Sequence, residues 1–348
     1  MSEQSSSGER SSSGQQSSSG QQSSSGQQSS SGQQSSSGQQ SDSQTPSSVD
    51  PRRDPEIAVD VLLQALPYIE AFRGAVVVVK FGGNAMSSPE LFADFAKDVV
   101  MMHRVGMKPV VVHGGGPQIG EWLKRMGKES TFIDGRRVTD AETLEVVQMV
   151  LMGKVNADIV TALNTFGPVA LGLSGTDARL LTATAHDPAL GFVGAVTKVN
   201  PELITRTLSM DLIPVIATVG VDESGQTYNI NADDAATEIA QCLGAEKLIF
   251  LTDVPGLLED VNDPDSLIAR VTTDQVREFI SSGVISGGMI PKMAGCIRAI
   301  ENGVGSVHLI DGRLPHVLLL ELLTRAGVGT MVEATQGNDP NYSESTQV

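Results

Sequence analysis

Six runs of consecutive apolar residues, most of them β-branched, recur along the chain, and segments with helical spacing separate them. The runs span residues 75–81, 108–113, 168–174, 212–220, 247–253 and 306–311. None of them alternates between apolar and polar positions, as a strand with one solvated face would. Continuous apolar strands alternating with helices are typical of a parallel sheet covered on both faces. The pattern therefore predicts an α/β fold, a three-layer αβα sandwich around a central, mostly parallel sheet.

Helical spacing predicts the elements that cover this sheet. They lie after residue 113 and near residues 89–105, 141–165, 232–243, 273–282 and 291–302. A further helix precedes the first strand: Asp54 and Pro55 favour its start, Gly74 ends it, and Pro67 predicts a break or kink near Leu66. This first helix, 54–74, either covers the sheet or reaches across to another subunit.

The ends of the chain differ in composition from its body. Residues 5–40 repeat a six-residue unit of Ser, Gly and Gln, which cannot bury enough apolar surface to fold. We therefore expect residues 1–53 and 334–348 to be disordered tails. The remaining body of roughly 290 residues is long enough for one large α/β domain or two lobes, and we expect one compact body with two lobes.

The net charge indicates which partners the protein can bind, and the cysteine content indicates its compartment. The formal net charge is −17, and the tail through Asp54 accounts for only −2 of it, with three arginines against five acids. An acidic body argues against binding nucleic acid, which requires a basic face. The two cysteines, Cys242 and Cys296, have no metal-ligand or pairing pattern and are expected to be small core residues in a reducing compartment. With no leader and no apolar run near ~18 residues, we expect a cytoplasmic protein without membrane contact.

Glycines follow the first two predicted strands at the ends where parallel sheets bind ligands. The first strand ends in Lys80-Phe81-Gly82-Gly83 and the second in His113 followed by three glycines. Glycine lets the backbone approach a phosphate closely, although each turn taken singly also fits an ordinary loop. No P-loop pattern and no dinucleotide-binding pattern occurs. Asp134 has the spacing of a ribose-binding acid but sits in a loop, so NAD binding is disfavoured.

Two lysines and one aspartate are the candidate charged groups. Lys80 ends a run of four valines, and Lys292 falls in the first turn of a predicted helix, where a cation opposes the helix dipole unless it holds an anion. Asp233 follows Asn231 at another helix start. Capping explains this last motif without any function. Alternatively, Asp233 orients both lysines around a phosphoryl group in transfer.

Taken together, the segments KFGGNAM, VVHGGGPQI, GRRVT, NINADDAA, FLTDVPG and GGMIPK resemble acetylglutamate kinase, of the amino acid kinase superfamily, over residues 57–332. The resemblance implies an amino acid kinase domain at 75–333, with an acceptor lobe at 75–245 and an ATP lobe at 246–333. It implies transfer of a phosphoryl group from ATP to the γ-carboxylate of N-acetyl-L-glutamate, early in arginine biosynthesis. Mg²⁺ would be held by the nucleotide, with no metal site on the protein.

The resemblance also assigns roles to residues at matching positions. It implies that Lys80, Lys292, Asp233 and Gly83 serve catalysis, and that Gly115, Gly116, Arg137 and Asn229 hold the acceptor. On the ATP side it implies Gly82, Thr252, Asp253, Gly256 and Gly288. His113 is expected to fix its turn rather than to take part in catalysis.

A second resemblance concerns regulation. The first helix and the segment from His308 to Val332 resemble the arginine-inhibited branch of the family, in which such helices interlace dimers into a hexamer. This implies a homo-hexamer with L-arginine as effector; whether a signalling protein also binds stays open. The arginine site would be framed by Tyr68, Lys198, His308, Glu321 and Gly327. Ordinary packing is the alternative explanation of these residues.

Two other functions stay open beside this one. Another small-molecule amino acid kinase would share the phosphate-binding turns; an aspartokinase or an acetylglutamate synthase would need a further domain, and we expect neither. A non-catalytic arginine-sensing subunit would be expected to have lost a lysine or glycine from the turns. All of these are present here.

Overall fold

The computed structural model describes residues 55–260, 262–263, 265–325 and 327–335. The predicted tail 1–53 and most of the predicted tail 334–348 lie outside them, as does the capping role of Asp54. Thr335 is described, and its hydroxyl accepts a hydrogen bond from the backbone N–H of Asp274 at 3.2 Å. The predicted division of 75–333 into two lobes stays a prediction.

The helices and strands alternate along the chain. The helices are α1 (Pro55–Ala71), α2 (Pro89–Arg104), α3 (Gly116–Arg125), α4 (Ala141–Gln148), α5 (Asn156–Asn164), α6 (Glu202–Ser209), α7 (Ala232–Leu243), α8 (Thr273–Ser282), α9 (Met289–Glu301) and α10 (Val317–Leu323). A π-helical segment, Met149–Val155, joins α4 to α5. The strands are β1 (Val76–Phe81), β2 (Lys108–His113), β3 (Phe132–Ile133), β4 (Arg136–Arg137), β5 (Ala170–Ser174), β6 (Leu181–Ala185), β7 (Val193–Val199), β8 (Ile213–Ala217), β9 (Val219–Val221), β10 (Thr227–Ile230), β11 (Lys247–Thr252), β12 (Arg270–Thr272), β13 (Ser306–Asp311) and β14 (Thr330–Glu333).

The central sheet has the strand order β12-β14-β13-β11-β1-β2-β8-β5. The six predicted apolar runs supply six adjacent strands of it, from β13 to β5, and these are all parallel. The short strand β14, which lies between β13 and the edge strand β12, runs antiparallel to β13. The predicted mostly parallel αβα sandwich is confirmed.

Apolar residues of one strand pack on opposite faces of this sheet. Val77 and Val79 of β1 belong to the core on one face and Val78 to the core on the other, and all three are fully buried. Burial on both faces explains why the strand sequence shows no alternation.

A second, smaller sheet was not predicted. β6, β7, β9 and β10 form a closed four-stranded arrangement beside the central sheet. The predicted strand 212–220 is divided between β8 and β9, because the chain passes from one sheet to the other at Thr218. The Thr218 hydroxyl donates to the His113 carbonyl at 3.3 Å, which ties this crossing to the end of β2.

Three local expectations need correction. α1 continues across Pro67 without the predicted break. The neighbouring Leu63 and Leu66 are exposed, so water can bond the carbonyl that Pro67 leaves without a donor. α9 begins two residues before Pro291, which still lies in the first turn, where a missing N–H costs nothing. Finally, Cys296 is buried as expected but Cys242 is exposed.

One helical segment, Ala141–Asn164, is long and apolar enough by composition to cross a membrane, so the expectation that no run approaches that length was wrong. It combines α4, the π-helical segment and α5, and 44% of its most apolar window is buried in the protein. α5 packs on β5, β8 and α2. Its apolar character is therefore explained by the core of the sandwich.

Candidate active site

A cavity of about 270 Å³ opens at the carboxyl ends of β1 and β2. Its lining combines the glycine turns after both strands, the β3–β4 hairpin and the start of α7. The lining residues are Lys80, Gly82, Gly83, Gly114, Gly115, Gly116, Pro117, Ile119, Phe132, Gly135, Arg136, Arg137, Leu151, Val193, Thr218, Asn229, Ile230, Asn231, Ala232 and Asp233. Helix N-termini converge here, and their free N–H groups favour an anion.

Asp233 contacts both candidate lysines. Its Oδ1 lies 3.2 Å from Lys80 Nζ, and its Oδ2 accepts a short hydrogen bond from Lys292 Nζ. Burial alone would raise the pKa of Asp233, but the two ammonium groups outweigh it and hold the pKa well below its usual range. Two cations thus share one anion, which leaves a net positive charge at the edge of the cavity.

The start of α7 fixes the position of Asp233. The Asn231 side chain caps the helix, and its Oδ1 accepts from the backbone N–H groups of Asp233 and Asp234 at 2.8 and 3.1 Å. Lys292 is also placed by Phe250, whose ring centroid lies 5.2 Å from Nζ. Capping and lysine pairing therefore occur together, although the sequence presented them as alternatives.

The glycines after β1 leave room for charged side chains. A Cβ at Gly82 would lie 2.9 Å from Lys80 Nζ, and a Cβ at Gly83 would lie 2.8 Å from Asp253 Oδ1. Gly83 also has a φ of +71°, which disfavours other residues. A larger residue at either position would displace a charged group at the site.

Buried polar contacts hold the glycine turn after β2. His113 Nδ1 donates to the Gly114 carbonyl at 2.9 Å, and Nε2 accepts from Asn156 Nδ2 at 3.0 Å. Burial lowers the pKa of His113 to about 4, so the ring is neutral at pH 7. Because C=O and N–H of a trans peptide point in opposite directions, this anchor turns the Gly115 N–H away from the ring. His113 thus fixes its turn, as the sequence suggested.

The π-helical segment presses on the same turn. A Cβ at Gly115 would lie 2.6 Å from Leu151 Cδ2 and 3.2 Å from Val155 Cγ2. Asn156, which follows the π-helical segment, also donates to the Val215 carbonyl at 2.9 Å. The sequence analysis missed Asn156; a polar residue inside an apolar helical segment was the available signal.

Arg137 and Asn229, the two side chains predicted to hold the acceptor, both line the cavity. Arg137 is buried, its Nη2 donates to the Gly116 carbonyl at 2.9 Å and its Nη1 to the Ser130 hydroxyl. Burial lowers the pKa of Arg137. Asn229 Nδ2 donates to the Thr139 hydroxyl at 3.1 Å. The structure thus brings Arg137 and Asn229 into one cavity with Gly115, Gly116 and Lys80.

The β3–β4 hairpin was assigned to a loop in the sequence analysis. Asp134 and Gly135 form its two-residue turn with φ values of 48° and 75°, the conformation in which Asp-Gly pairs are favoured. The Phe132 ring lies 4.7 Å from the Arg137 guanidinium carbon. An Asp-Gly pair between Phe132-Ile133 and two arginines was the signal that would have predicted this hairpin.

Of the residues predicted for the ATP side, Gly82 lines this cavity, and the other four lie outside its lining. Thr252 ends β11, and its hydroxyl donates to the Val254 carbonyl at 2.7 Å, while the Asp253 carboxylate lies against Gly83. Gly288 precedes α9, with open space where a Cβ would point. Gly256 is enclosed by packing, since a Cβ would lie 2.5 Å from Thr330 Oγ1. The adjacent ends of β1 and β11 thus bring Asp253 to the glycine turn. At Gly256, close packing against Thr330 explains why the residue is glycine.

Three of the residues predicted to bind arginine, His308, Glu321 and Gly327, lie together, away from the cavity. His308 Nδ1 donates to Glu321 Oε1 at 2.6 Å. Glu321 Oε2 accepts from the N–H groups of Val328 and Gly329 at 2.7 and 3.2 Å, beside Gly327. Tyr68 lies in the last turn of α1, and its carbonyl accepts from the N–H of Phe72, the residue after the helix, at 3.0 Å. Lys198 is not brought to this cluster: it is exposed on β7 in the small sheet, paired with Thr182.

Lys247 is a member of this cluster that the sequence did not indicate. It is buried at the start of β11, where its Nζ donates to His308 Nε2 at 3.1 Å and lies 4.8 Å from the Phe72 ring centroid. Burial lowers the pKa of Lys247 and also lowers that of His308, to about 4. Burial opposes ionisation of Glu321 too, but its bond to His308 keeps the pKa of Glu321 low. The cluster therefore holds a lysine cation and a carboxylate on either side of a neutral imidazole.

Comparison with known proteins gives a family and a fold. Residues 75–311 match the model of the amino acid kinase family. The acetylglutamate kinase of Synechococcus elongatus is 54% identical over 275 residues, which are 79% of this chain and 91% of the relative. That of Moorella thermoacetica is 52% identical over 283 residues, 78% of this chain and 96% of the relative.

Comparison with solved structures gives the same fold. A Streptococcus mutans protein of known crystal structure is 30% identical, with a TM-score of 0.63 over 75% of this chain and 99% of its own. The N-acetylglutamate synthase from Neisseria gonorrhoeae, complexed with coenzyme A and N-acetyl-glutamate, is 24% identical with a TM-score of 0.71. That match covers 80% of this chain and 63% of the synthase, and it shows the fold alone.

Proposed function

Because this chain belongs to the amino acid kinase family and matches acetylglutamate kinases over most of its length, we propose that it phosphorylates N-acetyl-L-glutamate in arginine biosynthesis. The γ-phosphoryl group of ATP is transferred to the γ-carboxylate and gives N-acetyl-L-glutamyl 5-phosphate. The supporting observation is the pairing of Asp233 with Lys80 and Lys292 at the edge of a glycine-lined cavity.

The roles proposed for these groups follow from the charge distribution of the reaction. A carboxylate attacking a polyphosphate needs cancellation of charge and alignment rather than a general base. Lys80 and Lys292 neutralise the charge that spreads over the phosphoryl oxygens, and Asp233 keeps both ammonium groups in position. N–H groups of the turns at Gly83 and Gly115 bind the same oxygens.

The two substrates are assigned to opposite sides of this charged group. Arg137 and Asn229 hold the acceptor, and Arg137 binds a carboxylate of the acceptor. The nucleotide lies toward Gly82, Thr252, Asp253 and Gly288, where the open space at Gly288 fits a phosphate approaching the start of α9. ATP carries the Mg²⁺ on its phosphates and supplies the phosphoryl group.

A coupled assay of ADP release tests this proposal, with N-acetylglutamate, glutamate, aspartate, carbamate and UMP as acceptors. We expect turnover with N-acetylglutamate, and trapping with hydroxylamine to yield a hydroxamate, because the product is an acyl phosphate. A preference for another acceptor would indicate a different small-molecule amino acid kinase. Silence with every acceptor would favour a non-catalytic arginine-sensing subunit.

Feedback inhibition by arginine is a second part of the proposal. The buried cluster of Lys247, His308 and Glu321 supports it, because a carboxylate and an ammonium group are the partners that the two ends of arginine require. Repeating the assay with L-arginine tests it. Turnover that is indifferent to arginine would remove this part and leave the kinase proposal standing.

We also propose a cytoplasmic homo-hexamer assembled through α1. α1 exposes Val59, Val61, Leu62, Leu63 and Leu66, each by more than 40%, an apolar surface that suits contact with another subunit. Light scattering coupled to gel filtration measures the mass directly. A monomer at micromolar concentration would contradict this assembly.

A further inference from the structure

Arg136 and Arg137 are adjacent in β4, line the same cavity, and differ in how their guanidinium groups are held. Both terminal nitrogens of Arg137 already donate, to the Gly116 carbonyl and the Ser130 hydroxyl. Arg136 instead donates through Nη2 to Asp234 Oδ2 at 2.7 Å. The side chains of this pair are 21% and 36% exposed, so the contact is partly shielded from water.

Arg136 Nη1 is buried and has no hydrogen-bond partner within the described residues. A buried charged donor without an acceptor loses the hydration it has in water, and native structures retain few such groups. The group nevertheless belongs to a residue that lines the cavity. A ligand in the cavity that brings an anionic oxygen would complete its bonding.

Asp234 connects this arginine to the charged group of the site. It is the residue after Asp233, and both N–H groups are capped by Asn231 in the first turn of α7. The Arg136–Asp234 ion pair therefore links the β3–β4 hairpin, a wall of the cavity, to the helix that positions Lys80 and Lys292.

We infer that Arg136 is a second acceptor-binding arginine, whose Nη1 donates to a carboxylate oxygen of the bound acceptor while Asp234 holds Nη2. This rests on the proposed function, since it requires a carboxylate acceptor in this cavity. Binding of this kind is present both before and during phosphoryl transfer. It therefore lowers the KM for the acceptor and leaves kcat nearly unchanged.

Steady-state kinetics of Arg136→Gln and Arg136→Lys, with N-acetylglutamate and ATP varied separately, test the inference. Loss of a charge-assisted hydrogen bond should raise the acceptor KM of Arg136→Gln about tenfold or more, with the KM for ATP within twofold of wild type. Arg136→Lys should recover part of the loss, because an ammonium group reaches one partner but not both. Calorimetric titration of N-acetylglutamate should show the same weakening without turnover.

Two further variants, Asp234→Asn and the double variant that combines it with Arg136→Gln, test whether Arg136 binds the acceptor or only stabilises the fold. Asp234→Asn should raise the acceptor KM by a smaller factor, and Arg136→Gln with Asp234→Asn should be no worse than Arg136→Gln alone, because Asp234 acts through Arg136. Arg206→Gln is the matched control: its ion pair with Glu202 is exposed on α6, and its removal should change neither KM. Thermal unfolding of each variant establishes that it is folded.

The outcomes are distinguishable. An acceptor KM of Arg136→Gln within twofold of wild type, an equal rise in both KM values, or fully additive variants would each overturn the inference while the kinase proposal stands. Wild-type protein without turnover on any carboxylate acceptor would overturn the proposed function and this inference with it.

Discussion

The carboxylate of Asp233 keeps its charge in a half-buried position because two ammonium groups share it. Neither lysine is neutralised completely by half a carboxylate, so the group as a whole attracts an anion. Lys292 also lies in the first turn of α9, where the helix dipole disfavours a cation. A phosphoryl group between the lysines, as in the proposed reaction, would add negative charge beside both ammonium groups.

Lys292→Ala should lower kcat by about 100-fold or more and change the KM for either substrate by less than about threefold, because its contact strengthens as charge develops in transfer. Steady-state kinetics with both substrates varied measures this. Lys97→Ala, which removes an exposed lysine paired with Asp94 on α2, is the control and should resemble wild type. If Lys292→Ala raised KM and lowered kcat by similar factors, the proposed role of Lys292 in phosphoryl transfer would be contradicted.

The neutral state of His113 predicts a pH dependence of stability. Burial lowers its folded pKa to about 4, against an ordinary value of 6.5, so between these values the unfolded chain binds the proton that the folded chain does not. Stability is therefore complete above pH 6.5 and falls as the pH drops toward 4, with a slope of up to ~1.4 kcal/mol per pH unit from this group. His308 adds a slope of the same sign.

Urea unfolding at pH 7, 6 and 5 measures this slope, and His113→Gln should reduce it. Equal slopes in the variant and in wild type would show that His113 titrates normally in the folded protein.

At the scale of elements, the π-helical segment Met149–Val155 changes which side chains face the strands. It directs Leu151 and Val155 onto the turn at Gly115 and places Asn156 between His113 and the Val215 carbonyl. π-Helical turns are rare and concentrate at functional sites. Here the altered winding lets a helix of the core hold the turn for which we propose phosphate binding.

Replacing Asn156 by leucine should therefore affect turnover as well as stability. Loss of the amide removes the hydrogen bonds to His113 Nε2 and to the Leu173 and Val215 carbonyls, and a buried group left without a partner costs about 1–3 kcal/mol. With the anchor of the Gly114–Gly115 peptide loosened, kcat/KM should fall at least about tenfold.

Asn164→Leu provides the comparison. Asn164 ends the same helix, and its amide bonds the backbone of Val169 and Ala170, away from the turn. It should lower the unfolding temperature by a similar amount and preserve turnover. Equal loss of activity in both variants would show that Asn156 acts only through stability.

On the scale of the whole molecule, the central sheet connects the two polar sites. Lys247 begins β11 and Thr252 ends it, so the buried cluster and the proposed nucleotide side lie about 17 Å apart along one strand. β13 carries His308 beside β11. Binding of arginine at the cluster would thus act on strands whose ends reach the active site.

Lys247→Met tests this coupling, because it keeps the apolar stem but removes the ammonium group. We expect inhibition by arginine to weaken at least about tenfold, while turnover without arginine stays within about twofold of wild type. The measurement is the arginine concentration that halves the rate. Undiminished inhibition would place the effector elsewhere.

Local sequence patterns determined the structural features that depend on residues close together in the sequence. Continuous β-branched runs predicted the six adjacent strands from β13 to β5, and the glycines after β1 and β2 mark the place where the cavity opens. Backbone preferences and burial act on consecutive residues, so a single sequence records them. The four-stranded arrangement of β6, β7, β9 and β10 was not predicted, because its strands are partly exposed and three of them have five residues or fewer.

Only the tertiary structure decided which distant side chains meet. Lys292 reaches Asp233 from 59 residues away and Arg136 reaches Asp234 from 98, and these contacts depend on the order of strands in the sheet. The same holds for Lys247 beside His308 and for Lys198, which the fold places on another sheet. A side chain's partners are set by packing across elements, whose order the hydrophobic pattern of each element does not specify.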